Sequence, residues 1–241
     1  MKTRSTTTKS IRRRTLATGM LTATVWLGLM AGTAQAAVVT WGAVQNITGD
    51  SDVLTTGTLV AAENYGLTGV SSTTVNGVTF SARPFGAFAS NSLGAVTGPF
   101  SSLSAPYQTL LSSAVLGLAT TGLNTSLTIG QTYQVQLWSN ISNVAANSVT
   151  DVISGNTVSL NSNTTAAIGG LGQYVVGTFV ADTVFQTFSF APTGRINGFQ
   201  IRALPSAVPE PGSALAGMLA LGVCLSGLAG RSRRQPAAVT A

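Results

Sequence analysis

Carboxylates are the side chains in the middle of the chain that have the chemistry of a general acid or base. The 241-residue chain has no histidine, and its one cysteine, Cys224, lies in an apolar segment near the C-terminus. The usual general base of serine and cysteine hydrolases is therefore missing. A glycosidase needs two carboxyl groups about 5 to 10 Å apart across a cleft. No motif pairs any two acids between residues 37 and 207, so we expect no catalysis; these acids are Asp50, Asp52, Glu63, Asp151 and Asp182.

Cation binding is a second candidate chemistry, because oxygen donors follow one another closely between residues 46 and 52. Asp50 and Asp52, with Asn46, Gly49 and Ser51 beside them, are ligand types that calcium takes. The alternative is a turn in which the two carboxylates accept hydrogen bonds from nearby backbone N–H groups. We favour the turn, keep structural calcium as the minority hypothesis, and expect no other cofactor.

Stacking against sugar rings is a third candidate chemistry, since an aromatic face suits the C–H-rich face of a pyranose. Tyr133, Val135 and Leu137 alternate with two glutamines, as in a strand with one buried face. Trp138 falls on the opposite face of that strand. The alternation therefore predicts that Trp138 is exposed and is the best placed aromatic for stacking on a sugar.

Short strands are the elements that would position these residues. Asn76-Gly77 predicts a type I′ hairpin because both residues tolerate positive φ. Apolar residues from Tyr107 to Val115 recur at helical spacing after Pro106, which predicts a helix of one or two turns. Frequent turns and the scarcity of helical patterns predict an all-β fold, a β-sandwich over residues 37–207. The predicted strand runs are 38–47, 73–81, 133–137, 149–160, 173–180, 184–190 and 196–203.

Residues 1–36 have the layout of a secretory signal peptide. A basic run precedes an apolar stretch from Leu16 to Ala31, and Ala34 and Ala36 form an A-x-A cleavage site. An uncleaved N-terminal anchor is the alternative, which the Thr and Gly residues within the apolar stretch disfavour. We therefore predict export across the inner membrane, with cleavage after Ala36.

The formal charge of +6 belongs to the two ends of the chain. Between residues 37 and 207, three arginines stand against five acids, which gives a charge of −2. Proteins that bind nucleic acid present a basic patch, and this stretch has none in its sequence. We therefore predict no nucleic-acid partner.

An uncharged segment of nineteen residues, Gly212 to Gly230, lies near the C-terminus. A helix of that length spans about 28 Å, close to the hydrocarbon core of a bilayer. Beyond it, Arg231, Arg233 and Arg234 should stay cytoplasmic together with residues 235–241, which places the preceding domain outside. A permanent single-span anchor is one interpretation of this segment. Two prolines just before the segment, Pro209 and Pro211, instead favour an extended strand of the kind that a protease cleft accepts.

Residues 208–234 resemble the bacterial PEP-CTERM sorting signal, in which a Pro-Glu-Pro motif, one transmembrane helix and an Arg-rich tail follow in order. Val208, Pro209, Glu210 and Pro211 carry the motif. In that family an integral-membrane, transpeptidase-like enzyme called exosortase recognises the signal. The resemblance implies exosortase as a partner, cleavage near the motif, loss of the helix and tail, and delivery to the cell surface or exopolysaccharide.

Three stretches of the middle domain resemble the jelly-roll ectodomains that often accompany this signal. They are residues 130–138, 172–179 and 196–202. The resemblance implies the general shape of galactose-binding or carbohydrate-binding modules, and shape alone does not assign a ligand.

Three functions fit these features. The first is an exported, non-enzymatic protein of the cell surface or biofilm matrix, held transiently by its C-terminal helix and trimmed at the PEP motif. The second is a carbohydrate-binding module of galactose-binding-like shape with extracellular polysaccharide as its partner, which needs an exposed aromatic cluster or a polar cleft. The third and least favoured, a secreted hydrolase, needs two acids in one pocket.

Overall fold

Strands account for most of the regular structure in the computed structural model, which describes residues 37–117, 120–122, 126–191 and 194–205. Two short helices, α1 (Gly98–Ser101) and α2 (Ala105–Leu111), accompany the strands. The all-β prediction is confirmed. The signal peptide, the PEP motif, the apolar segment and the arginine tail lie outside the described residues. Within the described ranges no helix combines the length and hydropathy that crossing a bilayer requires.

The strands of the described ranges form three sheets. The largest has the order β1-β12-β9-β15-β3-β5-β4, with β2 also paired to β12, and the others have the orders β11-β10-β13-β8 and β14-β7-β6. The bounds are β1 Thr40–Trp41, β2 Gln45–Asn46, β3 Thr58–Gly66, β4 Thr73–Val75, β5 Val78–Pro84, β6 Ala89–Ser90, β7 Ala114–Leu116, β8 Thr120–Gly122, β9 Thr132–Ser139, β10 Val149–Val152, β11 Val158–Asn161, β12 Gln173–Val180, β13 Thr187–Ala191, β14 Arg195–Ile196 and β15 Gly198–Ala203.

Strand β15 occupies the middle of the large sheet, antiparallel to β9 on one side and to β3 on the other. Ala203, its last residue, pairs with Tyr133 and Thr58, which lie near the starts of β9 and β3. Strand β3 then runs parallel to β5 and ends at Gly66 opposite Pro84. The C-terminal end of β15 and the loop after β5 are therefore at opposite ends of the sheet.

One face of the large sheet packs against the four-stranded sheet, which gives a sandwich-like core. Val135 and Leu137 of β9 and Val175 of β12 are fully buried there, together with Phe188 of β13 and Leu160 of β11. Period-two alternation along β9 and β12 supplies the apolar side chains of this face. Tyr133 and Phe179 stack across the two strands with ring centroids 5.6 Å apart.

The other face of the large sheet is also covered, by the helices and the segment before β3. Trp138 of β9 and Phe80 of β5 lie in one buried cluster with Tyr107, Leu110 and Leu111 of α2. Farther along this face, Gln136 Nε2 donates to the Asp52 carbonyl at 2.6 Å. A sheet covered on both faces buries both faces of β9 from Val135 to Ser139.

Two local predictions are confirmed. Asn76 and Gly77 have φ of 48° and 75° and join β4 to β5, with Val75 paired to Val78, as a type I′ hairpin requires. Helix α2 begins with Pro106 in its first turn, and the Ser104 hydroxyl accepts from the Tyr107 N–H at its N-terminus.

The apolar pattern after Pro106 does not continue as a helix to Val115. Helix α2 ends at Leu111, and Ala114 and Val115 lie in β7, where Val115 pairs with Ala89 and Ile196. The pattern misleads because a β-branched residue such as Val115 gains more from packing in a sheet than from one more helical turn.

Candidate functional site

Trp138 is fully buried, so the prediction that it is an exposed platform for sugars is wrong. Its indole Nε1–H donates to the Tyr107 hydroxyl at 3.0 Å, and its ring meets Phe80 edge-on. The alternation along β9 places Trp138 on the face opposite Leu137, as expected. That face is covered by α2, which no periodicity within β9 could indicate.

The Asp52 carboxylate is the centre of a buried polar network. Its two oxygens accept from the Thr48 N–H at 2.7 Å, the Thr48 hydroxyl at 2.6 Å, the Gly49 N–H at 3.0 Å and the Tyr107 hydroxyl at 3.2 Å. Burial, and next the negative charge of Asp52, raise the pKa of Tyr107 well above its ordinary value. Tyr107 therefore stays protonated and joins Trp138 to the Asp52 turn.

Asp50 and Asp52 lie in one 3₁₀ turn, Asp50–Asp52, but their carboxylates have different partners. Asp50 accepts from the Ser104 hydroxyl at 2.6 Å, and Asp52 accepts from the donors described above. In the part of the chain that the structure describes, no three carboxylate or thiol groups come together as a metal site. These contacts are those of the hydrogen-bonded turn. Calcium at Asp50 and Asp52 stays the alternative hypothesis.

The remaining acids lie in three separate settings. Glu63 forms an ion pair with Arg83 at 2.7 Å, and desolvation by burial raises the pKa of Glu63 in spite of that partner. Asp151 accepts from the Ser159 hydroxyl at 2.6 Å on the neighbouring strand β11. Asp182 is exposed in the loop after β12. Glu63 and Asp151 therefore each bond a side chain on a neighbouring strand.

A groove of about 410 Å³ lies beside α2 and is lined mainly by amide and hydroxyl side chains. It is formed where the C-terminal half of β3, the loop after it, and α2 come together. Its lining residues are Asn64, Gly69, Val70, Ser71, Asn91, Ala105, Gln108, Thr109, Ser112 and Ser113. The groove is a polar cleft, and none of the described residues that line it is aromatic.

Several polar groups of the groove stabilise its walls. Asn64 donates to the Ser71 carbonyl at 2.9 Å and accepts from the Ser113 hydroxyl at 3.0 Å. Asn91 Oδ1 accepts from the Leu67 N–H at 2.7 Å, and Gln108 Nε2 donates to the Leu103 carbonyl at 2.7 Å. Each of these last two side chains has a second polar atom that can bond a ligand or water. These atoms are Asn91 Nδ2 and Gln108 Oε1.

Sequence reasoning did not identify the groove. Its amides, Asn64, Asn91 and Gln108, are far apart in the sequence and belong to no motif. A weak signal exists in Gly66, where an added Cβ would overlap the Asn91 amide oxygen and the Val70 side chain. A glycine between Tyr65 and Leu67 thus indicates a close approach of two chain segments.

Comparisons with known proteins assign the chain to no family. No protein-family model matches it, and no curated protein matches it. Among solved structures, the ectodomain of ANX2 from Arabidopsis thaliana matches with 12% sequence identity and a TM-score of 0.28. The match covers 64% of this chain, and the chain spans about half of that ectodomain, 52%.

Proposed function

We propose that the chain is an exported, non-enzymatic protein of the cell surface or exopolysaccharide matrix that exosortase processes at Val208, Pro209, Glu210 and Pro211. The observation that carries the proposal is the order of three parts in residues 208–234, a Pro-Glu-Pro motif, an uncharged nineteen-residue segment and an arginine cluster. The signal peptide and the positive charge after the segment give the same orientation. We propose in addition that the strands of the β domain are connected as in a jelly roll.

The last hydrogen bonds that the structure describes lie close to the motif in the sequence, which supports processing next to the membrane. The Leu204 N–H donates to the Thr132 carbonyl at 2.9 Å, and the Leu204 carbonyl accepts from Gln131 Nε2 at 2.5 Å. Three residues, 205–207, separate Leu204 from Val208 and span at most about 11 Å. A membrane enzyme would therefore meet the motif beside a folded domain that is held outside.

The processing proposal is tested by replacing the motif in a host that carries the enzyme. P209A/E210A should accumulate at the full mass in the membrane fraction, because two of the four side chains that the enzyme is proposed to recognise are gone. S213A, three residues beyond Glu210, is the control and should be trimmed like the parent. Equal trimming of P209A/E210A and the parent would contradict the proposal.

Carbohydrate binding in the polar groove is a second candidate function. Grooves that bind sugars use amides and hydroxyls to fix the orientation of a ligand, and the groove beside α2 offers both. Asn91 Nδ2 is a donor and Gln108 Oε1 an acceptor, a combination that suits a sugar hydroxyl, which accepts and donates.

Retention on polysaccharide gels tests the groove. S71L places a bulky apolar side chain at an exposed lining position and should abolish retention by blocking access. S81L, on the exposed side of β5 and outside the groove, is the matched control and should leave retention unchanged. If S71L and the parent are retained equally, sugars do not bind in this groove.

A further inference from the structure

Four apolar side chains project into solvent at the end of the large sheet where β15 and the described part of the chain end. Ile129 is 62% exposed, Phe185 59%, Val180 54% and Val184 43%. We call these four residues the apolar tip. We infer that the apolar tip docks on the lipid bilayer surface while the chain is still attached to residues 212–230. This inference rests on the proposed function, because it needs that segment in the membrane.

Hydrogen bonds connect the segments that carry the apolar tip. The Gly130 N–H donates to the Ala181 carbonyl at 2.7 Å, and the Ala181 N–H donates to the Gln131 carbonyl at 3.0 Å. The Leu127 N–H donates to the Val184 carbonyl at 2.8 Å. Ile129 and the segment from Val180 to Phe185 are therefore parts of one backbone-bonded surface.

The same surface includes Leu204, which lies next to the last residue that the structure describes. Gln131 Nε2 donates to the Leu204 carbonyl at 2.5 Å, two residues along from Ile129. Arg202 fastens the adjacent loop before β3, since its guanidinium donates to the Thr55 and Gly57 carbonyls at 2.8 Å. The apolar tip is thus next to Leu204, which is separated by seven residues from the start of the apolar segment.

The length of the connecting chain brings the apolar tip close to the membrane. Seven residues, 205–211, separate Leu204 from the apolar segment, and fully extended they span at most about 25 Å. Strand β3, nine residues long, places the opposite end of the sheet about 30 Å farther away. Of the two ends of the sheet, the one that carries the apolar tip is the one that this tether keeps near the bilayer.

The chemistry of the apolar tip suits a lipid interface. Exposed Phe, Ile and Val side chains gain free energy by entering the boundary between headgroups and acyl chains. In the loop segments 54–57, 126–131 and 181–186, Asp182 is the one charged residue. Attraction to anionic lipid is therefore not required, and a zwitterionic bilayer is the appropriate test surface.

Fluorescence quenching from the lipid phase tests the inference on residues 37–241, the chain as it stands after signal removal. C224S frees the chain of its one cysteine, and I129C then receives an environment-sensitive fluorophore. F88C is the matched control, because Phe88 is 69% exposed and follows β5 at the opposite end of the sheet. F185C provides a second labelling site in the apolar tip, and circular dichroism verifies that each variant is folded.

The labelled chains are reconstituted into phosphatidylcholine vesicles that contain spin-labelled lipid and are then floated on a density gradient. The inference expects strong quenching at positions 129 and 185 and little at position 88, since the apolar tip enters by about 5 to 10 Å.

Equal quenching at both ends, or none, in chains that float would overturn docking but leave the membrane anchor intact. A blue shift at position 129 without quenching would also overturn docking, because it would indicate cover by a second copy. Chains that do not float would contradict the anchor itself, and docking with it.

Discussion

Removing the Tyr107 hydroxyl should destabilise the domain by about 2 to 3 kcal/mol. Tyr107 and Trp138 are fully buried, and the hydroxyl accepts from Trp138 Nε1 at 3.0 Å while donating to Asp52 at 3.2 Å. In Y107F the indole N–H loses this acceptor inside the fold, which costs about 1 to 3 kcal/mol. Asp52 loses the longest of its four hydrogen bonds and keeps the other three, so its share of the cost is smaller.

A double-mutant cycle separates the indole contact from general loss of packing. Y107F alone leaves the Trp138 indole N–H unpaired, and W138F removes that N–H. W138F should therefore cost about 1 to 2 kcal/mol less in the Y107F background than in the parent. Urea unfolding at pH 7, followed by far-UV circular dichroism, measures all four proteins without relying on tryptophan fluorescence.

Two results would refute this account of the network. The first is a loss below about 0.5 kcal/mol for Y107F, which is the size of an ordinary surface substitution. The second is an equal cost of W138F in both backgrounds, because that would mean that the hydroxyl and the indole do not interact. Either result would require another explanation for the burial of Trp138.

Three further perturbations test the Tyr107 network, two glycines and the Asp52 turn. Burial raises the pKa of Tyr107, so above pH 10 the unfolded chain releases a proton that the folded chain keeps. The free energy of unfolding, measured with urea, should therefore fall by up to about 1.4 kcal/mol per pH unit, and it should fall less steeply in Y107F. G155A should cost at least about 4 kcal/mol in thermal unfolding, because its Cβ would overlap the Val39 carbonyl at a φ of +111°. G130A, which has a φ of +83° and open space around its Cβ, should cost about 1 to 2 kcal/mol. Equal losses in the two variants would contradict the overlap with Val39. EDTA should leave the melting temperature unchanged, because protein donors already bond Asp50 and Asp52. A fall that added calcium reverses, and that D52N abolishes, would support the calcium hypothesis instead.

Features set by neighbouring residues were predictable from the sequence. The hairpin at Asn76-Gly77 depends on two φ angles that these residue types tolerate, and α2 depends on a proline followed by apolar residues at helical spacing. The inward face of β9 was predictable for the same reason, since the alternation of side chains is a property of the strand itself.

Features set by distant contacts were not predictable. Strand β3, nine residues long and next to the middle strand of the large sheet, has the sequence TLVAAENYG, which lacks alternation and contains residues with low strand propensity. Burial of Trp138 depends on α2, and the groove depends on segments that meet only in the fold. Neither leaves a periodic signal in the local sequence.

Mass spectrometry of the C-terminus of the mature protein, isolated from its native host, tests the central claim most directly. Exosortase processing predicts a C-terminus close to Pro211, with residues 212–241 absent. A mature protein that still carries Arg231, Arg233 and Arg234 would contradict processing and would establish a permanent anchor.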